Sequence, residues 1–95
     1  MNAYDIVLDE ISQEGLIEKE LIVLKQTGAL VSTDTIPFRL DRVEIVQNYS
    51  PEGRVDTITK NAITIDNAAK KITLAVVLDA GSSGDFVVYE LSKFI

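Results

Sequence analysis

Two residue types that carry much of protein chemistry are absent from this 95-residue sequence. It contains no cysteine, which excludes disulfides, thiolate nucleophiles and zinc sites built on cysteine pairs. It contains no histidine, which is the commonest general base and a frequent transition-metal ligand. Ser-His-Asp and Cys-His catalytic arrangements are therefore impossible within this chain.

Basic side chains and long apolar runs are also scarce. Nine Lys and Arg stand against fifteen Asp and Glu, and the net charge of −6 argues against nucleic acid and anionic membrane surfaces as partners. No apolar run approaches the roughly 18–20 residues that span a bilayer. The N-terminus lacks the basic and apolar regions of a signal peptide. We therefore expect a soluble protein that is made in the cytoplasm.

Branched aliphatic residues are abundant, since Ile, Val and Leu make up 30 of the 95 residues. Such a composition favours a packed core over disorder, and the length fits a single domain over residues 1–95. The apolar content also suggests a surface that a partner covers. The acidity is concentrated at the start of the chain, because residues 1–24 hold six acidic side chains and one basic side chain.

The first segment has the spacing of an amphipathic helix. Its apolar residues fall at the i, i+3, i+4 and i+7 positions of one helical face: Tyr4, Val7, Leu8 and Ile11. Asn2 is a suitable N-cap and Gly15 a suitable stop, which predicts a helix over residues 3–13. Residues 1–14 are thus expected to form an acidic helical segment, followed by a mainly β region over 16–95.

Residues 16–27 fit two structures. They could form a second helix that Gly28 closes, or a strand that is buried on both faces. The four consecutive branched aliphatics at 21–24 leave no polar stripe to face water, and this favours the strand.

Beyond Gly28 the pattern is that of β-structure. Alternating apolar and polar residues predict strands at 36–40, 43–45, 55–59, the two arms of a hairpin within 61–78, and 86–91. Pro37 places its strand at a sheet edge or at the start of the strand. A turn is expected at 49–53 and a flexible connection at 79–85.

These elements predict a mainly β (α+β) fold, which is a small antiparallel β-sandwich or barrel of five to seven strands with an N-terminal helix. The inward faces of the alternating strands predict these core residues: Ile63, Ile65, Ile72, Leu74, Val76 and Val88.

Carboxylates are the only groups that could perform catalysis. Glu10 and Glu14 would share a helical face, but a solvated face explains them better than a paired-carboxylate hydrolase does. The 79–85 segment has two carboxylates and two serines, without the ligand pattern of a calcium loop or the ending of a phosphate loop. We predict no catalytic, metal-binding or cofactor-binding residue, and we do not expect an enzyme.

Three Thr-, Ile- and Val-rich segments lie in the C-terminal half. They are residues 49–59 (YSPEGRVDTIT), 63–74 (ITIDNAAKKITL) and 84–89 (GDFVVY). They resemble small β-domains of tailed-bacteriophage virions, those of the tail, baseplate or fibre, and also resemble immunoglobulin-like domains. The virion resemblance implies a protein that acts through assembly surfaces rather than an active site, and it carries over no site residue.

The sequence therefore predicts a non-catalytic structural or assembly protein of a phage tail or baseplate, which acts as a homo-oligomer alongside other structural proteins. The alternative is a bacterial β-sandwich module that binds protein or carbohydrate, and a carboxylate-only hydrolase is a third class. Strand 86–91 is apolar on both faces, so either the N-terminal helix or another copy must cover it. The interface candidates are Tyr4, Val7, Ile11, Phe86, Val88, Leu91, Phe94 and Ile95.

Overall fold

The computed structural model describes residues 3–49, 63–75 and 86–95. Within these ranges all helix or strand structure is β-strand, and no helix is present. The strands are β1 (Tyr4–Glu14), β2 (Ile17–Gln26), β3 (Thr35–Pro37), β4 (Ile45–Tyr49), β5 (Ile63–Asp66), β6 (Lys71–Leu74) and β7 (Phe86–Phe94). They form a four-stranded antiparallel sheet in the order β1-β2-β7-β4 and a three-stranded antiparallel sheet in the order β3-β6-β5. The prediction of a mainly β fold is confirmed.

The predicted N-terminal helix is wrong, because residues 4–14 form the edge strand β1. This strand pairs with β2 from Tyr4↔Gln26 to Glu14↔Ile17, with a bulge between Ile6 and Leu8. A bulge adds one residue to a strand and shifts the alternation of side chains between the two faces by one position. In β1 the apolar residues consequently have a spacing that resembles one face of a helix. Ile and Val also favour strands, and pairing along a ten-residue neighbour outweighs the helical preference of the Glu and Leu residues.

Residues 17–26 form a strand, as the run of branched aliphatics indicated. One face of β2 is fully buried at these positions: Glu20, Ile22, Leu24 and Gln26. The other face is half-buried at Leu21 and Val23. The two sheets share one hydrophobic core, in which Ile22 and Leu24 of the larger sheet join Ile36 and Ile72 of the smaller.

The predicted hairpin within 61–78 is confirmed as β5 and β6, with Ile63 opposite Leu74 and Ile65 opposite Ile72. The Asp66 carboxylate accepts the Ala69 N–H at 3.0 Å, and Lys70 completes the turn with a φ of 54°. The core prediction holds for Ile63, Ile72, Leu74 and Val88, while Ile65 is partly buried. Val76 lies outside the described residues, as do residues 50–53 of the predicted turn, the predicted strand 55–59 and the connection at 79–85.

The remaining strands differ from prediction mainly in length. β3 is an edge strand, which is one of the two positions that Pro37 allowed, and it ends at Pro37, although the Phe38 N–H still donates to the Lys70 carbonyl at 3.0 Å in the same register. β4 begins at Ile45 rather than Val43. β7 extends to Phe94 and lies between β2 and β4, so that neighbouring strands of the same chain flank it on both sides.

Candidate functional site

The eight interface candidates fall into three groups by exposure. Tyr4, Val88 and Leu91 are buried within the chain and expose almost no surface to a partner. Phe86 is half-buried. The exposed candidates are Val7, Ile11, Phe94 and Ile95. Contact of any of these residues with a partner stays a prediction.

A cluster of exposed apolar side chains lies where the β1–β2 hairpin meets the end of β7. We call this cluster the apolar tip, and it consists of Leu16 (73% exposed), Phe94 (57%) and Ile95 (62%). The Ile95 N–H donates to the Leu16 carbonyl at 2.9 Å, and Phe94 lies opposite Ile17 in the β2–β7 ladder. Backbone pairing therefore brings the three residues to the same end of the larger sheet.

The turn between β1 and β2 explains why Leu16 is exposed. Gly15 has a φ of 61° and occupies the first position of a two-residue turn between Glu14 and Ile17, which fits a type II′ hairpin. Such a turn leaves the second residue, Leu16, pointing away from both strands. Leu16 was not among the predicted interface residues, although its position directly after a turn glycine was an available signal.

A buried carboxyl group joins the four-stranded sheet to the segment that follows β3. Glu20 lies on the inner face of β2 with no exposed surface. Its Oε1 accepts the Arg39 N–H at 2.7 Å and the Leu40 N–H at 2.6 Å, and its Oε2 accepts the Arg39 N–H at 3.0 Å. These bonds fix residues 39–40 against the larger sheet.

Asp9 and the Arg39 side chain lie beside the Glu20 carboxylate. The Arg39 Nε lies 3.1 Å from the Asp9 Oδ2 and 3.9 Å from the Glu20 Oε2, and its Nη2 donates to the Asp9 carbonyl at 2.9 Å. Burial and a hydrogen bond with the Asp9 carboxyl together raise the pKa of Glu20 to about 7, although the N–H groups of Leu40 and Arg39 act in the opposite direction.

A glycosidase uses two carboxyl groups, one of them with a raised pKa, but both must be accessible to the substrate. Glu20 is covered completely, and three hydrogen bonds to the chain's own backbone occupy its oxygens. Glu20 therefore offers a substrate no proton donor, and it instead fixes residues 39–40 against the larger sheet. Glu10 and Glu14 were predicted to share a face of a helix, and they share a face of strand β1 instead.

The described residues contain one further concave feature, and it does not fit a particular ligand. An open groove of about 420 Å³ lies between the sheet edges and is lined by Tyr4, Asp5, Ile6, Thr35, Pro37 and Lys71. Its one carboxylate and one ammonium group do not select a ligand. Within residues 3–49, 63–75 and 86–95, no group of three or more acidic side chains could hold a metal ion.

The hydroxyl group of Tyr89 is buried on the core face of β7. It has no hydrogen-bond partner among the described residues, and burial raises the pKa of the phenol above its ordinary value of 10. Its neighbour Tyr4 donates its own hydroxyl proton to the Thr35 carbonyl at 2.7 Å.

Comparison with protein-family models, with curated proteins and with solved structures finds no match to this chain. In the part of the chain that the structure describes, no helix could cross a membrane.

Proposed function

We propose that this chain is a non-catalytic assembly protein that self-associates through the apolar tip. The observation that carries the proposal is the exposure of three large apolar side chains, Leu16, Phe94 and Ile95, at one end of the larger sheet. Exposed apolar surface is costly in water and commonly marks an interface when several such side chains lie in one region. A second copy that presents the same surface would bury all three side chains through two-fold symmetry.

The setting that we propose for this assembly is a phage tail or baseplate, on the sequence resemblance of residues 49–59, 63–74 and 84–89 to virion β-domains. A tail or baseplate repeats small subunits many times, and a self-complementary apolar surface suits that use. The carboxylate-only hydrolase gains no support, because Glu20 is buried and bonded to backbone N–H groups. Carbohydrate binding has no specific observation in its favour.

Sedimentation velocity of the intact chain and of Leu16→Asn tests the proposal. Asn is polar and suits the second position of the hairpin turn, so the fold should be retained. The intact chain should sediment as a dimer or larger species at high micromolar concentration. Because Leu16→Asn removes one apolar side chain from each side of the interface, we expect self-association to weaken roughly ten-fold or more.

Val31→Asn is the matched control. Val31 is also an exposed apolar residue, but it follows the opposite end of β2 from Ile17. This variant should assemble as the intact chain does. The proposal fails if the intact chain is a monomer at high micromolar concentration, or if both variants weaken assembly equally.

A further inference from the structure

The outer edge of β1 carries backbone groups that can pair with another strand. In the part of the chain that the structure describes, no strand lies beyond β1 in the larger sheet. The two-residue turn makes Glu14 and Ile17 a hydrogen-bonded pair, and such pairs alternate along an antiparallel ladder. The N–H and C=O groups of Asp9, Ile11 and Gln13 must therefore point away from β2.

Two hydrogen bonds agree with this alternation. Arg39 Nη2 donates to the Asp9 carbonyl, which is possible only if that carbonyl points outward. The Ile95 N–H donates to the Leu16 carbonyl, as expected if the even-numbered residues of β2 face β7 and the odd-numbered ones face β1. Arg39 thus occupies the edge at Asp9, whereas the backbone of Ile11 and Gln13 faces outward on an exposed stretch of strand.

The charge of β1 indicates which kind of strand could be added. Four of its eleven residues are Asp or Glu, and none is Lys or Arg. Glu14 has an ion pair with Lys19, and Asp9 has one with Arg39. Glu10 is exposed, lies opposite Leu21, and has Glu90 as the next residue across the sheet. Lys19, the cation nearest to Glu10 on this face, is paired with Glu14, and Glu10 has no ion pair among the described residues.

This charge disfavours a second copy of the same strand. Two β1 edges paired with each other would bring together eight carboxylates, four from each strand, of which Arg39 and Lys19 offset only Asp9 and Glu14 in each copy. A strand with Lys or Arg on the face that Glu10 and Glu14 share would reverse that repulsion. On the opposite face the added strand would meet Ile11, which is 42% exposed and favours an apolar or β-branched neighbour.

We propose that the outer edge of β1, over residues 10–14, binds an extended segment of a partner protein in which basic residues alternate with β-branched residues. The segment adds a fifth strand to the four-stranded sheet by pairing with the backbone of Ile11 and Gln13. Its basic side chains lie beside Glu10 and Glu14, and its β-branched side chains lie beside Ile11. This docking is independent of self-association, because it uses the strand edge rather than the apolar tip.

The test is a titration of the ¹⁵N-labelled chain with a blocked nine-residue peptide of alternating Lys and Val, followed by NMR. The largest shift changes should fall on Ile11 and Gln13, and their amide protons should become protected from exchange. The same peptide with Glu in place of Lys should not bind. Because the attraction is between exposed charges, binding should weaken as salt is added.

Two variants separate strand addition from general charge attraction. Glu10→Lys should weaken peptide binding about five-fold, the effect of reversing one cross-strand charge pair. Its matched control is Glu44→Lys, an exposed acid beside β4 at the far side of the same sheet, which should have little effect. Gln13→Pro removes an outward N–H without touching the β1–β2 ladder and should weaken binding about ten-fold or more.

Three results would overturn the proposal. One is equal weakening by Glu10→Lys and Glu44→Lys, which would mean that only net charge matters. Another is unchanged binding in Gln13→Pro, provided that its spectrum remains that of the folded chain. The third is loss of self-association in Gln13→Pro but not in Leu16→Asn, which would assign the edge to a second copy. Leu16→Asn itself should bind the peptide normally, so failure of one proposal does not imply failure of the other.

Discussion

β1 and β7 lie on either side of β2, and they differ in whether another strand pairs with their second edge. Both pair antiparallel with β2, both are long, and both are rich in Ile, Val and Leu. β7 has β4 on its second edge, and Val87, Val88, Tyr89 and Leu91 are buried. In β1 only Tyr4 is buried, while Ile6, Val7 and Ile11 are exposed.

Position in the sheet, rather than residue type, therefore decides which apolar side chains form the core. One row of paired residues crosses all four strands, from Ile11 through Glu20 and Leu91 to Val46. Exposure of the side chains differs along this row. Ile11 is 42% exposed at the open end, whereas Leu91 is fully buried two strands away. Apolar side chains at an open edge stabilise the monomer little and remain available for contact with another molecule.

The largest expected effect is on stability along this row. Leu91→Ala should lower the free energy of unfolding by about 2–5 kcal/mol, because it removes buried methyl groups and leaves a cavity. Ile11→Ala should cost about 1 kcal/mol or less, since the side chain is already partly in water. Urea denaturation of the two variants at one pH measures both values. Equal losses would mean that β1 is as well covered as β7.

The second effect concerns Glu20, which lies between Ile11 and Leu91 in the same row. Its folded pKa of about 7 exceeds its ordinary value of 4.5, so protonation of Glu20 favours the folded state. This contribution to stability is complete below about pH 4.5 and is lost as the pH rises through 7. The difference between the two pKa values corresponds to about 3 kcal/mol.

Glu20→Gln isolates this contribution, because the amide carries no charge at any pH and still offers an acceptor oxygen to Arg39 and Leu40. As the pH rises from 4.5 to 7.5, the natural chain should lose stability relative to Glu20→Gln. Denaturation at several pH values measures that difference directly. A difference that stays constant over this range would show that Glu20 is ionised throughout and that its burial has little effect on its pKa.

The smallest effect is expected at Tyr89 on β7. Its buried hydroxyl has no partner among the described residues, so Tyr89→Phe removes an unsatisfied polar group without changing the shape of the ring much. Stability should remain unchanged or rise by about 1 kcal/mol. Thermal unfolding measures the change, and a marked loss of stability would indicate a hydrogen bond that the described residues do not account for.

The sequence was most informative where strands alternate strictly and neighbours along the chain pair with each other. The β5–β6 hairpin is of this kind, because Ile63, Ile65, Ile72 and Leu74 alternate and Asp66 begins a short turn. The first strand was mistaken for a helix because the bulge at Ile6–Leu8 breaks the alternation and recreates a helical spacing. A bulge is set by pairing with β2, which local periodicity does not reveal.

The candidate sites were harder to predict from the sequence than the strands, because distant segments of the chain come together to form them. Phe94 and Ile95 could be identified as exposed apolar residues, but only the β2–β7 register places Leu16 beside them. Glu20 was hidden in an ambiguous segment, yet its spacing from Ile22 and Leu24 shows that a strand there would point it inward. The approach of Arg39 to Asp9 joins residues 30 positions apart, and no local pattern predicts it.

Amide hydrogen exchange along β1 tests most directly whether this segment is a strand with one open edge. The N–H groups of Glu10 and Ser12 face β2 and should exchange slowly, whereas those of Ile11 and Gln13 face outward and should exchange quickly. The amides of residues 88–92 in β7 should be slow without alternation, because both edges of that stretch are paired. Continuous protection from residue 9 to residue 13 would contradict the open edge and would be the pattern of a helix or of a strand covered on both sides.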